Sequence, residues 1–321
     1  MKGNEFTSIE ICAGAGGQAL GLEMAGFQHI VCVENDPGAI ATLSFNRGTS
    51  WGVTQADVRG WKYSGTSEVT LLAGGVPCPP YSIAGKQLGE GDERDLFPEI
   101  TRLTSEIKPR VVLVENVRGL LSSKFADYRS RILESFHEMG YIGEWKLLQA
   151  ADFGVPQLRP RSVLVCMKPN DFKHFEWPVP LNEPRATVGE VLHESMAENG
   201  WLGAEEWSRS ALSIGPTLVG GSKKHGGADL GPTRAKAEWA KLGVDGLGLA
   251  NETPAKDFVG MPRLTVFQAM LIQGFPASWK IVGKKTSAYR QVGNAFPPPV
   301  ACALGASIIK ALKLSDKSSK M

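Results

Sequence analysis

Apolar residues along this chain follow two rhythms. In the first half, "TSIEIC" (7–12), "HIVCVE" (29–34), "VTLLAGG" (69–75) and "RVVLVEN" (110–116) are short, nearly continuous apolar runs, the pattern of strands buried on both faces. Between the last two, Leu96, Ile100, Leu103 and Ile107 recur at helical spacing and predict a one-sided helix. Asp36 before Pro37 reads as an N-cap with proline at the first helical position, and the helix after the first strand should stop at Gly26. Strand alternating with helix predicts an α/β fold with a parallel sheet covered on both sides.

The pattern fades after "RSVLVCM" (161–167). From about Trp177 to Pro262 the chain is rich in Gly and Pro, most distinctively in "GPTLVGGSKKHGGADLGPTR" (215–234), and predicts a smaller, irregular unit. Periodicity returns at "LTVFQAMLIQGF" (264–275), where Thr265 and Gln268 form a capping box and Gly274 a C-cap. "PPPVACALGASIIKALK" (297–313) reads as a last core helix entered through proline, and residues 315–321 as a frayed polar tail. The expected division is therefore a main domain over 1–177, completed by 285–314, with the smaller unit and its hinge over 178–284.

Composition narrows little. With 321 residues, 42% hydrophobic and 21% charged, the chain has ordinary globular proportions, and a net charge of +2 says nothing about partners. No apolar run approaches the roughly 18 residues of a membrane span, and the N-terminus lacks the shape of a signal peptide, so a cytoplasmic location without a membrane is expected. Five cysteines are scattered singly, against both a disulfide framework and a zinc cluster. Cys12, Cys32, Cys166 and Cys302 sit in apolar runs as small hydrophobes; Cys78 does not.

Chemistry concentrates where strands should end. "ICAGAGGQALGLE" places Gly14 and Gly16 between a strand and a helix, where backbone N–H groups can meet a ligand closely. Glu34 closes the next strand 20 residues beyond Gly14, the usual place of an acid that binds ribose hydroxyls. The turn suits NAD, FAD or S-adenosylmethionine, or is simply a tight turn; the G-x-G-G spacing leans away from dinucleotides. Asp57, after a third strand, is within reach of an adenine edge or is a solvated loop acid. In "GGVPCPPYS" (74–82), prolines fix the backbone around Cys78 just past the carboxyl end of a strand, where open α/β sheets bind ligands. A reactive thiolate needs positive charge nearby, which Arg159 and Arg161 would supply. Glu115, in "VENVRGLL", ends the neighbouring strand as a proton-sharing carboxyl or as a helix-capping acid. Gln157, Arg159 and Arg161 alternate along "QLRPR", so an extended chain aims all three to one side.

In order, GAGG (14–17), Glu34, Asp57, GGVPCPPYS (74–82), ENV (115–117), QLRPR (157–161) and RQVGNAFPPPV (290–300) resemble the DNA (cytosine-5)-methyltransferases of bacterial restriction-modification systems. The likeness runs from about Ile9 to Ile309, apart from 178–262, where that family varies to choose its target. It implies a Rossmann-like S-adenosylmethionine-dependent methyltransferase sheet with a smaller, irregular target-recognition domain. Cys78 then matches the nucleophile that adds to C6 of cytosine, Glu115 the acid at N3, and Arg159 and Arg161 the arginines near the base carbonyl and backbone phosphate. Gly14, Gly16, Glu34, Asp57 and Asn294 match positions around the methyl donor, S-adenosylmethionine. Ser82, Lys86 and Arg94 belong to a glycine-rich loop (82–95) expected to close over a flipped base, and Lys223, Lys224 and Arg234 lead the basic residues expected on DNA. The implied partner is double-stranded DNA, with a restriction endonuclease acting on the same site without direct contact, and the enzyme is expected to be a monomer. Two departures stand out: Cys12 where the family usually has an aromatic residue, and Pro79 where Gln is common. An NAD-dependent oxidoreductase would leave Cys78, Glu115 and the arginines without work. A silent DNA-binding relative or an RNA substrate are further alternatives.

Overall fold

The structure, a computed structural model, describes residues 6–77, 95–183, 185–221 and 227–319. Cys78, Ser82, Lys86, Arg94, Lys223 and Lys224 lie outside the described residues, as does almost all of the 82–95 loop. In chain order the main elements are β1 (Thr7–Ile11), α1 (Gly17–Ala25), β2 (Gln28–Glu34), α2 (Pro37–Arg47), β3 (Val53–Gln55) and β4 (Leu71–Gly75). Then come α3 (Phe97–Ile107), β5 (Val111–Val117), α4 (Ala126–Glu138), β6 (Ile142–Gln149), β7 (Gln157–Leu158) and β8 (Pro160–Met167). The remainder is α5 (Pro169–Phe172), α6 (Val188–Ala197), α7 (Ala204–Ser210), β9 (Gly215–Pro216), α8 (Thr233–Lys241), α9 (Val266–Ile272), α10 (Lys285–Asn294) and α11 (Pro298–Ser318).

The apolar runs form one sheet in the order β3-β2-β1-β4-β5-β8-β6. From β3 to β5 all pairs are parallel, as the alternation of strand and helix predicts, but β8 runs antiparallel to both β5 and β6. The reason lies in the connections: parallel neighbours need a crossover helix, whereas the chain after β6 passes through a 3-10 turn and β7 within residues 150–159 and returns as β8 beside β6. The parallel part of the sheet is Rossmann-like.

Local signals hold where expected. Asp36 accepts the Gly38 and Ala39 N–H groups, Gly26 ends α1 in left-handed conformation, and Thr265 and Gln268 close a reciprocal capping box on α9. Two expectations need correction. The final helix continues to Ser318 with Ser315 buried, so most of the segment read as a frayed tail is helical. The segment 178–262 is more regular than its Gly and Pro content implies, since α6, α7 and α8 lie in it and Trp201, Trp207 and Trp239 are buried there. Those tryptophans join one apolar cluster with Ala13, Ala15, Leu43, Trp51 and Trp279, so this segment packs against the turn that follows β1. Within residues 285–318 lies an 18-residue stretch apolar enough to cross a membrane by composition, yet 56% of it is buried and α11 packs along α1.

Candidate active site

The carboxyl ends of β1, β2, β4 and β5 converge on the site. After β1 the chain turns through left-handed backbone at Cys12 (φ 52°), Gly14 (φ 54°) and Gly16 (φ 83°). Glycine adopts that conformation freely; Cys12 does not, and holding it there costs about 1–2 kcal/mol. α1 starts at once, and Gly17 is needed for contact: a Cβ there would lie 2.2 Å from the Phe296 carbonyl oxygen. The chain around Asn294 to Phe296 thus rests on the first turn of α1.

Glu34 is organised for binding. Its Oε2 accepts the Gly14 N–H at 2.8 Å, and its Oε1 accepts the N–H groups of Asn35 and Asp36, both at 2.8 Å. A carboxylate accepts about four hydrogen bonds, so three fix its aim and one remains for a ligand hydroxyl. Beside it, a Cβ built on Gly14 meets no atom within 4 Å, which leaves a cradle over the turn. Asp57 is exposed just beyond β3, its Oδ1 accepting the Arg59 N–H at 3.0 Å. Asn294 is exposed at the end of α10 and donates to the Gly221 carbonyl at 3.3 Å. A cradle with a held acid at its rim fits an adenosyl ligand, and Gly14, Gly16, Glu34, Asp57 and Asn294 are the residues that would hold it. Where an aromatic residue was expected against that ligand stands Cys12, whose thiol is pushed far up by burial and then by Glu34, Glu10 and Asp57.

The second half of the site lies at the end of β4. Gly75 pairs in register with Glu115 on β5, three residues before Cys78. Glu115 is 5% exposed, and the Arg161 Nε lies 2.6 Å from its Oε1. Burial pushes the Glu115 carboxyl up from the usual carboxylate range, while Arg161 and Arg159 pull it back. The result is a buried acid fixed at one point, its carboxyl raised on balance.

Arg159 is not where the motif places it. It is fully buried and donates to main-chain carbonyls: Leu218 at 2.8 Å, Gly293 at 2.8 Å and Ala295 at 2.9 Å. Gln157 beside it accepts the Leu218 N–H at 2.8 Å and donates to Gln273 at 2.6 Å, whose own amide reaches the Ala295 carbonyl at 2.5 Å. The alternation of Gln157, Arg159 and Arg161 does not deliver three side chains to a ligand. It brings Arg161 onto Glu115, while the other two tie β7 to α9, to the end of α10 and to the segment after β9. Gln273 was missed in the sequence because a glutamine at a helix end carries no signal of its own.

The four described cysteines are all pushed toward the neutral thiol, chiefly by burial. Among the described residues no group of three His, Cys, Asp or Glu side chains is placed to hold a metal. On the basic segment, Lys236 pairs with Asp229 and Lys241 with Glu238, both at 2.8 Å, whereas Arg234 is exposed in the first turn of α8.

The family profile "C-5 cytosine-specific DNA methylase" matches residues 6–310. The type II methyltransferase M.NgoMIV of Neisseria gonorrhoeae is 53% identical over 312 residues, covering 96% of this chain and 99% of that protein. M.NaeI of Lentzea aerocolonigenes is 54% identical over 315 residues, covering 96% of this chain and 76% of that one. Among solved structures, a DNA modification methyltransferase encoded within an Escherichia coli prophage superposes with a TM-score of 0.68 at 21% identity, over 96% of this chain and all of its own. The Dnmt2 methyltransferase of Schizosaccharomyces pombe does so with a TM-score of 0.61 at 16% identity, over 98% and 99% of the two chains. These two show the shared fold. The chain belongs to the C-5 cytosine-specific DNA methylases and is an S-adenosylmethionine-dependent DNA (cytosine-5)-methyltransferase.

Proposed function

We propose that this enzyme methylates one cytosine within a short, specific double-stranded DNA sequence, as the modification half of a restriction-modification system, through a covalent bond between Cys78 and C6 of a flipped-out base. The observation that carries the reading is the in-register pairing of Gly75 with Glu115, with Arg161 on the Glu115 carboxylate. It sets an acid beside the chain that leads into Cys78. The resemblance to M.NgoMIV and M.NaeI supports the restriction-modification role.

C5 of cytosine is a poor nucleophile, so the reaction needs prior addition at C6. The Cys78 thiolate adds to C6 as Glu115 gives its proton to N3, and the electron pair moves to C5. C5 then takes the methyl group, loses its own proton to a base, and the sulfur leaves as the N3 proton returns to Glu115. Arg161 steadies Glu115 through this cycle and presents its guanidinium to the base carbonyl. S-adenosylmethionine, held by Gly14, Gly16, Glu34, Asp57 and Asn294, supplies an electrophilic methyl group. Extrusion of the target base from the duplex costs a few kcal/mol, which contacts from the 82–95 loop offset; Ser82, Lys86 and Arg94 are the loop residues assigned to it. Residues 178–284 form the target-recognition part and its hinge, with Lys223, Lys224 and Arg234 on DNA, the enzyme acting as a monomer.

Bisulfite sequencing of plasmid DNA from cells expressing this chain tests the reading. Protection of one cytosine in one recurring sequence is expected; uniformly converted DNA from cells making folded protein contradicts it.

A further inference from the structure

One group of buried polar atoms is unused by the chemistry above. Glu10, one residue before the end of β1, is 1% exposed, and its Oε2 has no hydrogen-bond partner among the described residues. Gln18, in the first turn of α1, is 3% exposed, and neither its Oε1 nor its Nε2 has one. A buried polar atom left unpaired costs about 1–3 kcal/mol, so three in one place call for an account.

Their position supplies it. Glu10 pairs in register with Ala73, and Ala73 and Gly75 share a face of β4 because strand side chains alternate. Gly75 in turn pairs with Glu115. The space at Gly75's missing side chain lies 3.3 Å from the Glu115 Oε2 and 3.9 Å from the Gln18 Oε1. Glu10, Gln18 and Glu115 therefore line one polar gap under α1, on the side of Glu115 away from its contact with Arg161, which is made through Oε1. We propose that Glu10 and Gln18 are positioning residues for Glu115: through water held in this gap, the Glu10 carboxyl and the Gln18 amide steady the negative charge left on Glu115 when its proton passes to cytosine N3. The inference rests on the reading of Glu115 as that acid.

The surrounding charges agree with a neutral Glu10. Burial, and then the charge of Glu115, push its carboxyl well above the usual range. Among the described residues it acts on the thiols of Cys12 and Cys32, both pushed up, and His29, in register with Ser8 on the same face of β1, is pushed down by burial. Away from the gap, Arg161 holds the Glu115 Oε1, and both Arg161 and Arg159 pull the Glu115 carboxyl down. On α1 the nearest charge, Glu23, is held by Arg47 and Trp51 on the far side of the helix. A neutral carboxyl donates through its O–H; an apolar side chain of the same size does not.

The test is the single-turnover rate of methyl transfer against pH, with saturating S-adenosylmethionine and a duplex carrying the methylated sequence, for Glu10→Met, Glu10→Gln and Gln18→Met. Removing the donor leaves Glu115 a weaker acid, so Glu10→Met should slow transfer about tenfold and move the half-maximal pH upward, with Kd for donor and DNA changed less than about twofold. Glu10→Gln, which keeps an uncharged donor, should restore most of the rate and the original pH dependence. Wild-type rate and pH dependence in Glu10→Met overturns the proposal. So does equal slowing in Glu10→Met and Glu10→Gln without a pH shift, or a rise in donor Kd alone. If Glu10→Met fails to fold, Gln18→Met, expected to slow transfer several-fold with the same upward pH shift, decides in its place. Glu115→Gln separates the two levels: wild-type transfer there overturns the reading of Glu115 itself, whereas slow Glu115→Gln with normal Glu10→Met overturns this inference alone.

Discussion

Replacing Arg159 by methionine separates a structural arginine from a DNA-binding one. The guanidinium is fully buried and holds the carbonyls of Leu218, Gly293 and Ala295 at 2.8–2.9 Å. These acceptors come from 59, 134 and 136 residues away along the chain, so one side chain closes two long loops. Methionine fills much of the stem volume but donates nothing. Hydrogen bonds to a charged group contribute about 1.5–3 kcal/mol each, and removing the charge also removes its burial penalty. A net loss of about 3–5 kcal/mol follows, by analogy with breaking a buried charge from its partners. At about 2 °C per kcal/mol for a chain of this size, the melting temperature should fall by roughly 6–10 °C. Arg159→Lys keeps the charge but cannot span three carbonyls, and should fall between the two. The assay is thermal unfolding by circular dichroism, beside DNA affinity measured well below the transition, where affinity should hold within about threefold. An Arg159→Met protein that melts with the wild type and loses about tenfold or more in DNA affinity would refute the reasoning and return Arg159 to the phosphate.

Other outcomes follow from the same geometry. Glu10 keeps its proton in the fold to higher pH than in the unfolded chain, so its contribution is fully present below the unfolded value near 4.5 and is lost as pH rises toward the folded one. Glu10→Gln should therefore gain stability over the wild type from about pH 5 upward, by at most about 1.4 kcal/mol per pH unit, in denaturant titrations; a difference flat with pH contradicts this. Trp279→Phe removes the indole N–H that donates to the Ala15 carbonyl at 3.2 Å, and should weaken S-adenosylmethionine binding up to about tenfold by calorimetry while the fold persists. Gly17→Ala sets a methyl group 2.2 Å from the Phe296 oxygen, forces the backbone apart, and should destabilise by about 1–3 kcal/mol or more and weaken the donor, seen as a lower melting point and a smaller shift on adding donor.

The parallel half of the sheet was legible because strands buried on both faces write themselves as continuous apolar runs, and Glu34, Gly75 and Glu115 stand where such runs end. The reversal of β8 was not, since an apolar run carries no direction. Helices α7 and α8 were hidden because each is short and buries a single large residue, Trp207 or Trp239, in place of a long stripe; α6 did carry a signal, Val188, Leu192 and Met196 behind a Thr187–Glu190 capping box, which the Gly and Pro around it overshadowed. Arg159 misled because its spacing from Arg161 is a local property, while its burial depends on distant segments folding back onto it. Glu10 was visible as an acid inside an apolar strand, a signal that the motif order overshadowed. The reading of Cys78 rests on its setting between prolines and on the motif; Gly75, three residues earlier in the chain, pairs in register with Glu115.

The central claim is a sulfur–carbon bond formed during turnover. Purified enzyme, S-adenosylmethionine and a duplex with 5-fluorocytosine at the methylated position should give a complex that survives denaturing electrophoresis, and mass spectrometry should place the nucleotide on Cys78, with none formed by Cys78→Ser. Efficient methylation of the ordinary duplex without any denaturant-stable complex on the fluorinated one would contradict the account.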